Sequence, residues 1–205
     1  MRIASRLILL FACIAMTGCG LQRQVVRIEV QPTRIVHVGA PQVVIGTVTD
    51  VRTPATDIVL DSSDQASNVG GMGRGDHGIA VELQGSTVTE KMRQMVAAAL
   101  QDSGYQVVSG PADAPRVDVK ITEFQVVTPF QFWRAAFYNP RMLADISAEI
   151  TITTSAGARS FVVKGHGYNV YQRVVAENWQ IALDKATADF NKDLREHLVS
   201  ALSMQ

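Results

Sequence analysis

Asp50 and Arg52 close a β-branched run, Val43 to Val51, and Asp76-His77 ends a glycine-rich stretch, Gly70 to Gly78. A carboxylate and a guanidinium beside a loop can hold a polar ligand, and a nearby imidazole can move a proton. Asp50, Arg52 and His77 are therefore the residues from which a small-ligand site or a hydrolase-type centre would be built, in a cleft between the glycine stretch and the strand end. The simpler reading of Asp50 and Arg52 is an ion pair that caps the strand. The glycines make no phosphate cradle, because such loops join a strand to a helix N-terminus, where bare amides and the helix dipole converge. Here G-G-x-G-x-G leads into another apolar strand without the Lys-Ser/Thr of a P-loop, so a mobile loop is expected. His37, His77, His166 and His197 are scattered singly, and neither G-x-S-x-G nor H-E-x-x-H occurs. No catalytic residue, metal site or cofactor is expected, and the chain reads as a non-enzyme.

Phe130, Phe132, Trp133, Phe137 and Tyr138 fall in nine residues between Pro129 and Pro140, in a chain only 6% aromatic. They fill core over an open sheet edge, or they form an exposed patch for a protein partner, a second copy of the chain or a bilayer surface. The prolines mark a loop excursion, and loops lie at the surface.

The first residues carry an address. Arg2 and Arg6 precede an apolar stretch, Leu7 to Met16, then Thr17, Gly18 and Cys19. This is the layout of a secretory signal. Ten residues rise only about 15 Å as a helix, half of a ~30 Å hydrocarbon core, so the stretch is too short to span. Met16-Thr17-Gly18-Cys19 resembles the bacterial lipobox. The resemblance implies cleavage between Gly18 and Cys19, a diacylglyceryl thioether on Cys19 and a further acyl chain on its amine. Gly20 in place of aspartate implies the outer membrane, with the protein facing the periplasm. Cys13 lies in the leader, so the mature chain has no disulfide and its stability must come from packing. The formal net charge is +0, which leaves no electrostatic footprint for nucleic acid.

The expected organisation is a removed leader over 1–18, a lipid-anchored lead over 19–42 and a globular domain over 43–205. Within the lead, Val25 to Val30 suits an edge strand or an extended spacer. Val43 to Val51 is a strand, Thr53 to Gly78 a long loop and Ile79 to Leu83 a short strand. Thr87-Val88-Thr89-Glu90 matches a capping box opening a helix over 88–103, stopped by Gly104 before a strand from Tyr105 to Val108. Arg116 to Val127 alternates with a phase shift at Glu123-Phe124 that predicts a bulge. Asp145 to Thr153 and Arg159 to Tyr171 predict a hairpin around Ser155-Ala156-Gly157. Trp179, Leu183, Ala186, Phe190, Leu194, Leu198 and Leu202 predict a closing helix over 177–202. The class is α+β: one domain, an antiparallel or mixed sheet with two main helices on one face.

The lipobox, the strand VVIGTVTDVR, the glycine stretch and the run from Val88 through Ala97-Ala98-Ala99-Leu100 to Gly104-Tyr105 together resemble the YajG-like family of bacterial lipoproteins. That family is largely uncharacterised, so the resemblance implies an outer-membrane lipoprotein of α+β fold and transfers no catalytic residues. The expected role is a non-enzymatic envelope interaction or assembly factor, with the membrane held through the lipid, an envelope protein as partner and a homo-oligomer as a further option.

Overall fold

Two long runs of strict alternation set the centre of the molecule, since a strand with one apolar face must bury it. The computed structural model describes residues 22–33, 39–53, 66–74, 77–110, 114–129 and 140–202, with Arg74 and His77 described by their backbone alone. In chain order the elements are β1 (Gln22–Val26), β2 (Gln42–Asp50), β3 (Asn68–Arg74), β4 (His77–Leu83), α1 (Val88–Asp102), β5 (Gln106–Val107), β6 (Arg116–Val127), β7 (Arg141–Thr154), β8 (Gly157–Val170) and α2 (Ala176–Leu202). They form a single mixed sheet with two helices, the α+β class expected.

β6 is the axis. β7 pairs antiparallel along its whole length and β8 continues the meander, joined to β7 by the hairpin foreseen at Ser155 to Gly157. The opposite edge of β6 is shared: β2 runs parallel to its first half and β3 parallel to its end, at Val126 and Val127. β4 pairs antiparallel with β3, β1 pairs parallel with β4, and β5 extends β2. Between Ile121 and Glu123 the β6–β7 register shifts, Thr122 being the extra residue, and its hydroxyl donates to the Ser147 carbonyl at 3.1 Å. This bulge returns Phe124 and Val126 to the face that Val117, Val119 and Ile121 bury.

The helices close that face. Thr87 caps α1, its hydroxyl accepting from the Glu90 amide at 3.2 Å, but the Glu90 carboxylate accepts from Gln94 at 2.9 Å instead of reaching back, so only half of the capping box forms. The seven residues of the α2 stripe are buried, and they share one core with α1 and the inner rows of β6 and β7. α2 packs directly on the β8 backbone because Gly165 and Gly167 occupy the inner positions beneath it. A Cβ at Gly165 would lie 2.2 Å from the Ala186 carbonyl oxygen, and one at Gly167 would lie 2.1 Å from that of Ala182. The helix also covers the free edge of β8: the Lys164 and His166 amides donate to Asp193 and Asp189, and Lys185 donates to the Tyr168 carbonyl. An edge so capped cannot recruit another strand.

The glycine stretch corrects the sequence reading. Over its described residues it is no mobile loop: Asn68 to Arg74 is β3, wedged between β4 and β6. Gly70 and Gly71 adopt φ of +122° and +138°, and a Cβ would meet Val126 O at 2.4 Å and Ile79 O at 1.9 Å. Only glycine lets the chain pass that closely. A register shift after Asn68 is held by its own side chain, which accepts from the Gly70 amide at 3.0 Å and donates to the Val81 carbonyl at 3.3 Å.

Of the stretch from Val25 to Val30, only Val25 and Val26 belong to a strand, the edge strand β1 over Gln22–Val26, and residues 27–30 lie outside any strand. Val26 and Ile28 enter the core, and the Arg27 backbone is gripped by Gln180 of α2, whose side chain both accepts from its amide at 2.7 Å and donates to its carbonyl at 2.6 Å.

Candidate functional site

β2 delivers Asp50 and Arg52 to the point where β3 and β6 meet. The Arg52 guanidinium forks onto Asp50, Nε to Oδ1 at 2.8 Å and Nη2 to Oδ2 at 2.7 Å, while Nη1 donates to the carbonyls of Phe124 at 2.8 Å and Asn68 at 3.1 Å. Four donated bonds tie three strands at one cation. Burial pushes the Asp50 carboxyl up, but the hydrogen bonds and charge of Arg52 outweigh it and hold the group below its ordinary value of 3.8. A lowered folded value means that the pair's stabilisation is complete above about pH 4 and is lost as pH falls through the folded value. Arg52→Ala should cost about 2 kcal/mol in urea unfolding at neutral pH, because it strands two carbonyls and a carboxylate. Asp50→Asn should flatten the acid limb of the stability curve below pH 4. A limb unchanged in Asp50→Asn would show that the pair is not what titrates.

The His77 side chain lies outside the described residues, so the three expected ligand groups are not seen together. Cys19, Gly18, Phe130, Phe132, Trp133, Phe137 and Tyr138 also lie outside the described residues. Their flanks do not: the chain leaves β6 after Val127 and enters β7 at Arg141. His166 pairs with Asp145 across β7 and β8 at 2.6 Å, with 58% and 30% of the side chains exposed. It stands on an open strand face. Among the described residues no three His, Cys, Asp or Glu side chains gather as a metal site, and no helix is long and apolar enough to cross a membrane.

Two surface features stand out among the described residues. The first is an open cleft of about 540 Å³ between residues 27–29 and α2, lined by Arg27, Glu29, Gln180, Asp184, Thr187 and Asn191. The Thr187 hydroxyl and the Asn191 side-chain Oδ1 are buried there without a partner among the described residues. The second is the end of β8 and the start of α2, where Tyr168, Val170, Val175 and Ile181 are all exposed. Arg141 lies 5.4 Å and Lys185 5.3 Å from the centre of the Tyr168 ring, each within cation–π range.

No family model matches the chain, and no curated protein matches it. Solved structures do. A Xanthomonas campestris protein of the DUF330 family is 12% identical over 87% of this chain and 92% of its own, with a TM-score of 0.41. The rare lipoprotein B of Shewanella oneidensis is 10% identical over 56% of this chain and 86% of its own, with a TM-score of 0.41. A minor lipoprotein of Acinetobacter baumannii is 16% identical over 58% and 86%, with a TM-score of 0.37. At these identities and scores the likeness says nothing of what this chain does.

The Tyr168 cluster escaped the sequence reading because its members come from β7, β8 and α2. Only the alternation of Tyr168 and Val170 with the inward Gly167 and Asn169 gave a signal, by leaving two large apolar side chains on the outer face.

Proposed function

We propose that the chain is a lipid-anchored lipoprotein of the bacterial outer membrane, facing the periplasm, that acts as a non-enzymatic interaction or assembly factor of the envelope. The observation that carries this reading is Met16-Thr17-Gly18-Cys19 at the end of a basic, then apolar leader. A mature chain without any other cysteine suits it, since no second thiol competes with Cys19 for oxidation or pairing. Gly20 favours the outer over the inner membrane. The envelope partner is assigned to the aromatic segment, Phe130, Phe132, Trp133, Phe137 and Tyr138, because aromatic side chains concentrated between two prolines supply large contact area at low entropic cost.

In-cell crosslinking from a photoreactive residue in place of Phe132 or Phe137 tests the partner. One dominant envelope protein in the crosslinked product is the expected result. Crosslinks confined to the chain's own core would overturn the interaction role and make the aromatics packing residues.

A further inference from the structure

Resting on the lipid-anchor reading, we propose that the domain docks on the bilayer that anchors it, through the end of the sheet where β8 passes into α2. Tyr168, Val170, Val175 and Ile181 enter the interfacial region, and Arg141 and Lys185 meet anionic lipid headgroups.

The tether sets the geometry. Gln22, the first residue of β1, is three residues after Cys19, and three virtual bonds of 3.8 Å span at most about 11 Å. The headgroup layer of one leaflet is roughly 6 Å thick, so an acylated Cys19 holds the start of β1 within a few ångströms of the membrane surface.

The register tells which end that is. Gln22 pairs with Ile79, and Ile79 with Met72. Gly71, the residue before Met72, pairs with Val127, Val127 with Leu143, and Leu143 with Tyr168. Gln22 thus stands one rung beyond Tyr168, at the end where β6 leaves the sheet, β7 enters it and β8 departs for α2.

The surface at that end has the composition of a membrane interface. Tyr168 is 48% exposed, Val170 46%, Ile181 42% and Val175 39%. A tyrosine at headgroup depth keeps its ring in the apolar boundary and its hydroxyl in water. The cations beside its ring have no carboxylate partner among the described residues, and the Arg141 Nε is buried without any hydrogen bond. Two cations around an exposed aromatic fit phosphate-bearing, anionic lipids, each adding attraction that salt screens.

The test uses the acylated mature protein, in which a cysteine introduced at Val170, Ile181 or Val199 carries a dye alone, because Cys19 is blocked by lipid. In vesicles of phosphatidylethanolamine and phosphatidylglycerol containing a doxyl-quencher lipid, Val170→Cys and Ile181→Cys should lose most of their emission. Val199→Cys, at the far end of α2, should keep it. Arg141→Ala combined with Lys185→Ala should lower the docked-to-free ratio roughly thirtyfold while the protein still floats with the vesicles. Equal quenching at Val170 and Val199 in protein that floats overturns the docking and leaves the anchor standing. Protein that does not float removes the anchor, and the docking with it. Should the double variant misfold, the three single-cysteine positions decide alone.

Discussion

Gly165→Val should leave little folded domain at room temperature. The first atom of any side chain at Gly165 would stand 2.2 Å from the Ala186 carbonyl oxygen and 2.6 Å from the Phe190 amide nitrogen. Both are backbone atoms of α2, and a helix backbone cannot rotate out of the way as a side chain can. The helix must lift, and its buried stripe lifts with it, Trp179, Leu183 and Phe190 among the most enclosed residues of the chain. Overpacking alone costs about 1–3 kcal/mol, and each large apolar side chain returned to water adds about 1.5–3 kcal/mol. The total reaches the 5–15 kcal/mol by which whole domains are stable. Gly157→Ala is the control: its φ of +131° brings strain, but a Cβ there meets nothing within 4 Å. Thermal unfolding followed by circular dichroism reads the difference. A Gly165→Val midpoint within about 4 °C of wild type, equivalent to about 1 kcal/mol, would mean that α2 does not rest on β8 at this height.

Cys19→Ser should empty the outer-membrane fraction. Two acyl chains, at about 0.8 kcal/mol per buried methylene, hold a domain permanently, whereas a single myristoyl chain gives only marginal, reversible binding. The interfacial patch around Tyr168 cannot replace them, since a few exposed side chains and two cations match neither the area nor the depth of two chains. By resemblance to the lipobox, the serine variant is also left uncut, so its leader remains and the protein stalls at the inner membrane. Density-gradient separation of the two membranes, with the protein followed by immunoblot, reads the outcome. A variant found in the outer membrane as strongly as the wild type ends the lipid-anchor account.

How far the sequence spoke depended on whether burial was one-sided and local. The inner rows of β6 and β7 and the stripe of α2 repeat at the strand and helix periods, so periodicity alone placed them, down to the bulge that a phase shift at Glu123-Phe124 announced. Gly70 and Gly71 were misread because glycine marks turns by default. The demand here, passage beside Val126 and Ile79, comes from residues 56 and 8 positions away respectively in the chain, and is visible only once the sheet is assembled. Gly165 and Gly167 gave the same false neutrality, alternating within a plain strand while clearing a seat for α2. β1 is short and mostly polar, and its parallel pairing with β4 closes across 57 residues, which no local pattern announces. Of the candidate site, Asp50 with Arg52 was legible as a pair, but the reach of Arg52 to the Asn68 and Phe124 carbonyls was not. The Tyr168, Arg141 and Lys185 grouping was not legible at all, because proximity across three elements leaves no spacing to read.

The most direct measurement is the mass of the N-terminal peptide of the mature protein extracted from outer membranes. The account predicts a chain that begins at Cys19 and carries a diacylglyceryl group on its sulfur. A chain that begins elsewhere, or one whose Cys19 is a free or disulfide-bonded thiol, would contradict it.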